Sequence, residues 1–250
     1  MAKISNFRIV LSIIIIIILP SIGLPYILPP SQILQLMTKK FCNIKTLKII
    51  QHTTIKDLNQ EKEKVFGEVI YLKTPDLYRS EIAGQPGKRL IVHNSTRTLR
   101  IINRIIKYDR ESQDLLYRFL LLAQNPERLL ERLTEVGINL DKVSLTRFEG
   151  RIAYLIGEKK EGSPRLLVDK NLFLPLLFEY GDFLFHFSDY RELTEETWYP
   201  YKIVYSSKGA IIEEHIIKDI KVNPPIDLSI FDIPFIRSQF EKSELKPDKQ

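Results

Sequence analysis

The residues that could carry out catalysis are few and scattered in this sequence of 250 residues. No Gly-x-Ser-x-Gly, Walker-type or Gly-x-Gly-x-x-Gly motif is present. The acidic pair Glu213-Glu214 is adjacent on a predicted strand, so its side chains point to opposite faces and cannot form a carboxylate dyad. Four histidines lie on predicted strands or at a strand end, without the neighbours of a catalytic triad or a metal site: His52, His93, His186 and His215. We therefore expect a protein that is not an enzyme, with no metal and no other cofactor.

Composition excludes further classes of protein. The single cysteine, Cys42, rules out an internal disulfide framework and a cysteine-based zinc site. Hydrophobic residues make up 44% of the chain and charged residues 27%, as in ordinary globular proteins. The net charge of +6 is spread along the chain, and its densest basic stretch, Arg97 to Arg110, alternates with aliphatic residues. That alternation favours strands with a solvated face, so we expect no nucleic-acid partner.

Apolar side chains recur with a period of two on three consecutive predicted strands, and such a surface could bind a lipid tail. Burying one methylene group is worth about 0.8 kcal/mol, so a lipid site needs apolar area rather than catalytic groups. Both faces of several strands are apolar, which leaves open whether these side chains line a cavity or fill an ordinary core. The candidate wall residues are Leu174, Leu176, Phe178, Phe183, Phe185, Phe187, Tyr199, Tyr201, Ile203 and Tyr205.

A short helix is predicted between Leu115 and Leu122, where every residue except Arg118 is apolar or aromatic. A helix that is apolar on nearly all sides is either a buried connector or a cover over something removable. Both readings remain open. As a lid, the helix would contact cargo through Leu115, Leu116, Phe119 and Leu120.

An antiparallel sheet must position these residues. Runs with strand periodicity, separated by turn residues such as Thr74-Pro75-Asp76 and Ser207-Lys208-Gly209, extend from Thr46 to Val222. Connections this short join only antiparallel neighbours. We predict an α+β fold, mainly antiparallel β, in which about 11 to 13 strands curl into an unclosed half-barrel. An N-terminal helix over 32–43 and a helical insertion accompany the sheet, and a loop over 226–234 and a charged tail over 237–250 follow it.

The first thirty residues have the layout of an export signal. Lys3 and Arg8 precede an apolar run that contains six consecutive isoleucines, and Ser21-Ile22-Gly23 offers a cleavage site. Alternatively, the uncharged stretch from Ile9 to Leu28 remains as a membrane anchor, since its 20 residues are just enough to span a bilayer. In both cases we expect residues 31–236 to form one domain in the periplasm.

Motifs at both ends of the predicted sheet resemble the LolA/LolB lipoprotein-localisation superfamily, which includes the sensor domain of RseB-type proteins. Gly67 precedes an extended run, the turn Lys73-Thr74-Pro75-Asp76-Leu77 and then Tyr78-Arg79, similar to the family's second strand, its Lys/Pro turn and the strand that follows. Asp169 followed by Leu174-Pro175-Leu176 is similar to a hairpin of the family. The closing run Ile220-Lys221-Val222-Asn223-Pro224, with Phe231 and Pro234 beyond it, resembles the terminal strand and its exit.

The resemblance implies an unclosed barrel whose apolar concave face, covered by helices, shelters acyl chains of a lipid or lipoprotein. In the lipoprotein chaperone an arginine before the turn proline helps to hold the lid closed, whereas the matching residue here is Thr74. The leading hypothesis is a periplasmic carrier that works with a partner protein of the inner or outer membrane. The alternatives are a membrane-tethered sensor of lipids or mislocalised lipoproteins, and an envelope hydrolase with an unrecognised site.

Overall fold

Thirteen antiparallel strands form one sheet in the computed structural model, which describes residues 27–57, 62–94, 97–109 and 116–244. The first half of the chain supplies β1 (Thr46–Asp57), β2 (Lys62–Lys73), β3 (Leu77–Ile82), β4 (Arg89–Asn94), β5 (Arg97–Ile102) and β6 (Ile105–Asp109). The second half supplies β7 (Val143–Phe148), β8 (Arg151–Gly157), β9 (Arg165–Asp169), β10 (Pro175–Tyr180), β11 (Phe183–Thr194), β12 (Thr197–Ser207) and β13 (Ala210–Val222).

The order of the strands leaves the sheet open. Each strand pairs with its neighbours in sequence, except that β1 also pairs with β13 and so joins the two halves in the middle of the sheet. The strands β6 and β7 form the two edges and are not paired with each other. The predicted α+β class and unclosed half-barrel are confirmed, with thirteen strands at the upper end of the expected number.

Tight two-residue turns explain why these segments form hairpins. Asn103 and Arg104, between β5 and β6, both have positive φ, at 50° and 64°. Lys208 and Gly209, between β12 and β13, also have positive φ, at 51° and 79°. Two consecutive residues in the left-handed region give a turn whose twist matches that of paired strands, so each turn fixes the pairing around it.

Three helices cover the inner face of the curved sheet: α1 (Pro30–Lys39), α2 (Leu116–Leu121) and α3 (Pro126–Glu135). Helix α1 begins with Pro30 at its first position and buries Ile33, Leu34 and Met37. Helix α3 begins after Asn125, whose side chain accepts a hydrogen bond of 2.7 Å from the backbone N–H of Arg128. The inner face and these helices therefore share one hydrophobic core.

A fourth helix, α4 (Ile233–Glu244), lies on the outer face of β4 and β5. The sequence analysis placed a loop and a charged tail in this part of the chain. The helix forms because Asp232 caps it, accepting a hydrogen bond of 3.0 Å from the N–H of Phe235, and because Ile233, Ile236 and Phe240 fall on one face. Within the ranges described above, no helix is long and apolar enough to cross a membrane.

The connection between α1 and β1 holds several distant segments together. The amide of Gln124, between α2 and α3, donates to the carbonyl of Ile44. The hydroxyl of Thr74, in the β2–β3 turn, donates to the same carbonyl at 3.2 Å. Asn223, at the end of β13, accepts a hydrogen bond of 2.7 Å from the N–H of Lys45. Thr74 therefore anchors the β2–β3 turn to this connection.

Candidate functional site

The second half of the inner face is covered with aromatic rings. Strand pairing aligns Phe178 with Phe185 and Phe185 with Tyr205, so the three rings form a row across β10, β11 and β12. The ring centroids of Phe185 and Tyr205 are 5.0 Å apart, with the rings nearly parallel. We define the aromatic floor as Phe178, Tyr180, Phe183, Phe185, Phe187 and Tyr205, which contact one another through stacked or tilted rings or join the same core cluster.

Helix α2 lies directly on the aromatic floor. The ring of Tyr117 stacks on Phe185 with centroids 4.6 Å apart, and Leu120 and Leu121 are fully buried. A void between α2, α3 and Phe178 measures about 10 Å³, roughly the space of one water molecule. In this arrangement α2 itself covers this part of the apolar surface.

The structure places most of the predicted wall residues on the inner face. Leu174, Tyr199 and Ile203 are buried in the same core cluster as the aromatic floor, and Tyr201 packs against it. Leu176 belongs instead to a cluster on the outer face, because the pairing of β9 with β10 shifts register between Pro175 and Leu177.

The predicted lid residues lie in different environments. Phe119 is half-buried, with the guanidinium groups of Arg128 and Arg132 of α3 lying 5.7 and 5.6 Å from its ring centroid. Leu120 is buried against the floor. Leu116 is the first residue of α2, and Leu115 lies outside the described residues.

The first half of the inner face holds a buried polar network that the sequence analysis missed. At its centre Glu68 of β2 is 1% exposed and accepts hydrogen bonds from the hydroxyl of Ser80, from Thr53 at 2.6 Å and from Gln51 at 2.7 Å. Arg89 of β4 lies 3.4 Å from the same carboxylate. Burial by itself raises the pKa of Glu68, but these partners together bring it below its ordinary value, so the group is ionised.

His215 of β13 completes this network from the other side of the central strand pair. Its Nδ1 lies 3.0 Å from the amide nitrogen of Gln51, and its Nε2 lies 3.6 Å from a carboxylate oxygen of Glu213. Burial lowers the pKa of His215, so the imidazole is neutral near pH 7. Glu213 in turn pairs with Arg89 at 2.8 Å. The network thus links five strands, β1, β2, β3, β4 and β13, through fixed charges and directed hydrogen bonds.

The network does not have the geometry of a hydrolase site. Its one serine, Ser80, donates to the carboxylate of Glu68, not to an imidazole that could act as a base. Among the described residues no group of three His, Cys, Asp or Glu side chains could hold a metal ion. A signal for the network exists in the sequence, since Gln51, Thr53 and Glu68 continue the inward-facing alternation of Leu47, Ile49 and Ile70.

Arg118 of α2 extends between the polar and the aromatic halves. Its guanidinium carbon lies 3.6 Å from the ring centroid of Tyr78 on β3, and its Nε donates to the hydroxyl of Tyr117 at 2.8 Å. Consecutive residues of one short helix therefore contact opposite halves of the sheet: Tyr117 contacts the floor and Arg118 contacts Tyr78.

The outer face of the second half carries a groove of about 880 Å³. Leu155, Leu167 and Leu177 form its apolar base, and the ion pair of Arg165 with Glu179, at 2.6 Å, lies at its rim. This groove lies on the side of the sheet opposite α2.

Comparison with known proteins supports the fold only through structure. No family model matches the sequence, and no curated protein matches it closely enough to count as a relative. A domain from Vibrio parahaemolyticus described as an outer membrane lipoprotein-sorting protein is 9% identical, covers 83% of this chain and 97% of its own, and gives a TM-score of 0.55.

Two further solved structures superpose equally well. A LolA superfamily protein from Nitrosomonas europaea is 12% identical over 84% of this chain and 100% of its own, with a TM-score of 0.54. A DUF1329 family protein from Desulfovibrio piger is 11% identical over 83% of this chain and 99% of its own, with a TM-score of 0.55. At identities this low the likeness concerns the fold alone, and at that level it confirms the resemblance inferred from the sequence motifs.

Proposed function

Because the chain has a LolA-like fold, we propose that it is a carrier that shelters acyl chains of a lipid or lipoprotein for transfer between membranes of the cell envelope. The observation that carries this proposal is the stacking of Tyr117 on Phe185. An acyl chain and the side chains of α2 compete for the same apolar surface. Helix α2 is therefore the cover that opens when cargo enters.

The energies of the two states are close enough for exchange. Full burial of a large apolar side chain is worth about 2 kcal/mol. The closed position of α2 is therefore stabilised by roughly 6 kcal/mol through the burial of Tyr117, Leu120 and Leu121. An acyl chain gains about 0.8 kcal/mol per buried methylene, or roughly 11 kcal/mol for about fourteen of them. A longer acyl chain therefore competes with α2 better than a shorter one.

We place the protein in the periplasm on the strength of its export signal. Leu28, the last residue of the candidate membrane anchor, packs against the core of the domain. Cleavage after Gly23 retains Leu28 and releases a mobile carrier, while retention of the segment tethers the domain and favours a sensor of lipids or mislocalised lipoproteins. N-terminal sequencing of the exported protein separates these two forms.

A pair of adjacent substitutions on β12 tests binding at the aromatic floor. Tyr205 faces inward opposite Glu213, and Val204 faces outward opposite Glu214, and both side chains are half-buried. Tyr205→Lys and Val204→Lys thus each place a lysine across from a glutamate, on opposite faces. We expect Tyr205→Lys to weaken binding of the neutral fluorophore N-phenyl-1-naphthylamine at least about tenfold, and Val204→Lys to leave it unchanged.

Circular dichroism of both variants checks that the sheet is intact. If the wild-type protein binds neither the fluorophore nor long-chain amphiphiles, the proposed function is wrong. Equal loss of binding in both folded variants would place the site away from the aromatic floor.

A further inference from the structure

The guanidinium of Arg118 is incompletely paired in the interior. Its Nη1 atom is buried and has no hydrogen-bond partner, and among the described residues no carboxylate lies within ion-pair distance of the group. It contacts the face of the Tyr78 ring, and the ring and the hydroxyl of Tyr117. A buried donor on a charged group without an acceptor is unfavourable, and an acceptor supplied from outside the chain would relieve that cost.

A second unpartnered group lies beside the first. The hydroxyl of Tyr78 is also buried and makes no hydrogen bond of normal geometry. The Ser80 hydroxyl is near enough to oppose the rise in the pKa of Tyr78 that burial causes, but it donates its proton to Glu68. The face of the Tyr78 ring stacks against Arg118. One cationic donor and one hydroxyl donor therefore meet at the same place under α2. Their common complement is an oxygen anion, which accepts hydrogen bonds from both.

Among the described residues, no neighbouring carboxylate forms an ion pair with the guanidinium of Arg118. Glu68 is the carboxylate that interacts electrostatically with Arg118, but its hydrogen bonds are with Ser80, Thr53 and Gln51, and its ion pair is with Arg89. Burial alone lowers the pKa of Arg118, yet Tyr117, Tyr78 and Glu68 together raise it, so the guanidinium stays charged. The guanidinium of Arg118 is thus a buried cation whose Nη1 atom makes no hydrogen bond.

The position of Arg118 relative to the aromatic floor indicates a ligand with an apolar tail and a polar head. Tyr117, which stacks on Phe185, directly precedes Arg118 in the chain. Tyr78 stays on β3, whereas Arg118 moves with α2 when the helix opens. An acyl chain that takes the place of Tyr117 would thus have its polar end beside Tyr78, where its head group would hold the guanidinium of Arg118. Apolar tail and anionic head are then recognised at adjoining places.

We infer that Arg118 and Tyr78 form a head-group subsite, and that the cargo is an acidic amphiphile bearing a carboxylate or a phosphate. This inference rests on the proposed function and specifies its substrate class. The aromatic floor supplies affinity for any long chain, and the subsite supplies the preference among head groups.

Displacement of N-phenyl-1-naphthylamine from the full-length protein tests the preference. Dodecanoate, dodecyl phosphate and dodecan-1-ol share one chain length and differ in the head group, and both acids are ionised at about pH 8. We expect the two acids to bind roughly ten- to a hundredfold more tightly than the alcohol, as a charge-assisted hydrogen bond predicts. Inorganic phosphate alone should not displace the fluorophore.

Substitutions of Arg118 test whether this residue causes the preference for acidic head groups. Arg118→Met keeps an unbranched apolar side chain and should remove the preference while leaving dodecan-1-ol binding within about twofold. Arg118→Lys keeps the charge and should retain part of the preference, which gives a second readout where the methionine variant folds poorly. Arg104→Met, in the exposed turn between β5 and β6 beside Phe240 of α4, is the matched control and should bind as the wild type does.

The outcomes separate the two proposals. Equal binding of the acids and the alcohol by the wild type overturns the head-group subsite and leaves the carrier function standing. Displacement by inorganic phosphate alone also overturns it, because the site would then serve a free anion. Failure of every amphiphile and of the fluorophore to bind removes both proposals together.

Discussion

Single side chains give the inner face of the sheet two characters: an aromatic floor on β10, β11 and β12, and a buried polar network centred on Glu68. The aromatic residues were visible as a period of two on adjacent strands. The polar network was hidden because its members are far apart in the chain: Gln51 and His215 are separated by 164 residues and meet only through the pairing of β1 with β13. The alternation of apolar and polar residues in the sequence shows which residues of one strand share a face. The order of the strands in the sheet determines which residues of different strands come into contact.

The buried His215 and Glu68 make stability depend on pH. The pKa of His215 lies below its ordinary value of 6.5 because of burial, so the unfolded chain binds a proton more readily than the folded one. Stability is therefore full above about pH 6.5 and falls as the pH drops. Glu68, whose pKa is lowered from 4.5, adds a second loss below about pH 4.5.

We expect His215→Gln to flatten the first part of that decline. The wild-type unfolding free energy, measured by urea titration at a series of pH values, should decrease by up to about 1.4 kcal/mol per pH unit for this one proton. His52→Gln, at an exposed position on the outer face of β1, should keep the wild-type profile. A profile for His215→Gln that parallels the wild type between pH 6.5 and 5 would contradict this assignment.

Helices were predicted less completely than strands. Helix α3 was recognisable because Asn125-Pro126-Glu127 combines a cap, a first-turn proline and an acidic residue. Helix α4 carried a comparable signal, with Asp232 before Ile233-Pro234 and apolar residues at three- and four-residue intervals. Its charged C-terminal part concealed that signal, because Glu241 is exposed on a helix whose other side packs against β4 and β5.

Adjacent residues of α4 provide a direct test of this packing. Ile236 is 4% exposed against the outer face of the sheet, whereas Phe235 is 55% exposed. We expect Ile236→Ala to lower the unfolding free energy by about 2 to 3 kcal/mol, and Phe235→Ala to change it by less than about 0.5 kcal/mol. Urea unfolding measures both. A larger loss for the phenylalanine would mean that α4 presents its other side to the protein.

At the scale of the whole molecule, the first and last strands meet in the middle of the sheet. Asn223 secures that meeting: its side-chain oxygen accepts from the N–H groups of Lys45 and Thr46, and its amide donates to the carbonyl of Asn43 at 2.9 Å. Its φ of +54° also suits asparagine better than most residues. The Asn-Pro motif noticed in the sequence thus has a structural role.

Removal of this side chain should weaken the entire sheet. We expect Asn223→Ala to reduce the unfolding free energy by about 2 kcal/mol, through the loss of three hydrogen bonds and the strain of alanine at positive φ. Asn171→Ala, in the exposed turn between β9 and β10, is the control and should cost less than about 0.5 kcal/mol. Comparable urea midpoints for the two variants would refute this role.

The chain that leaves one edge strand, β6, passes through α2 and α3 before it enters the opposite edge strand, β7. The two edges of the sheet are thus joined in sequence by the segment that carries the cover over the aromatic floor. Any change in the separation of β6 and β7 must be accommodated within that segment.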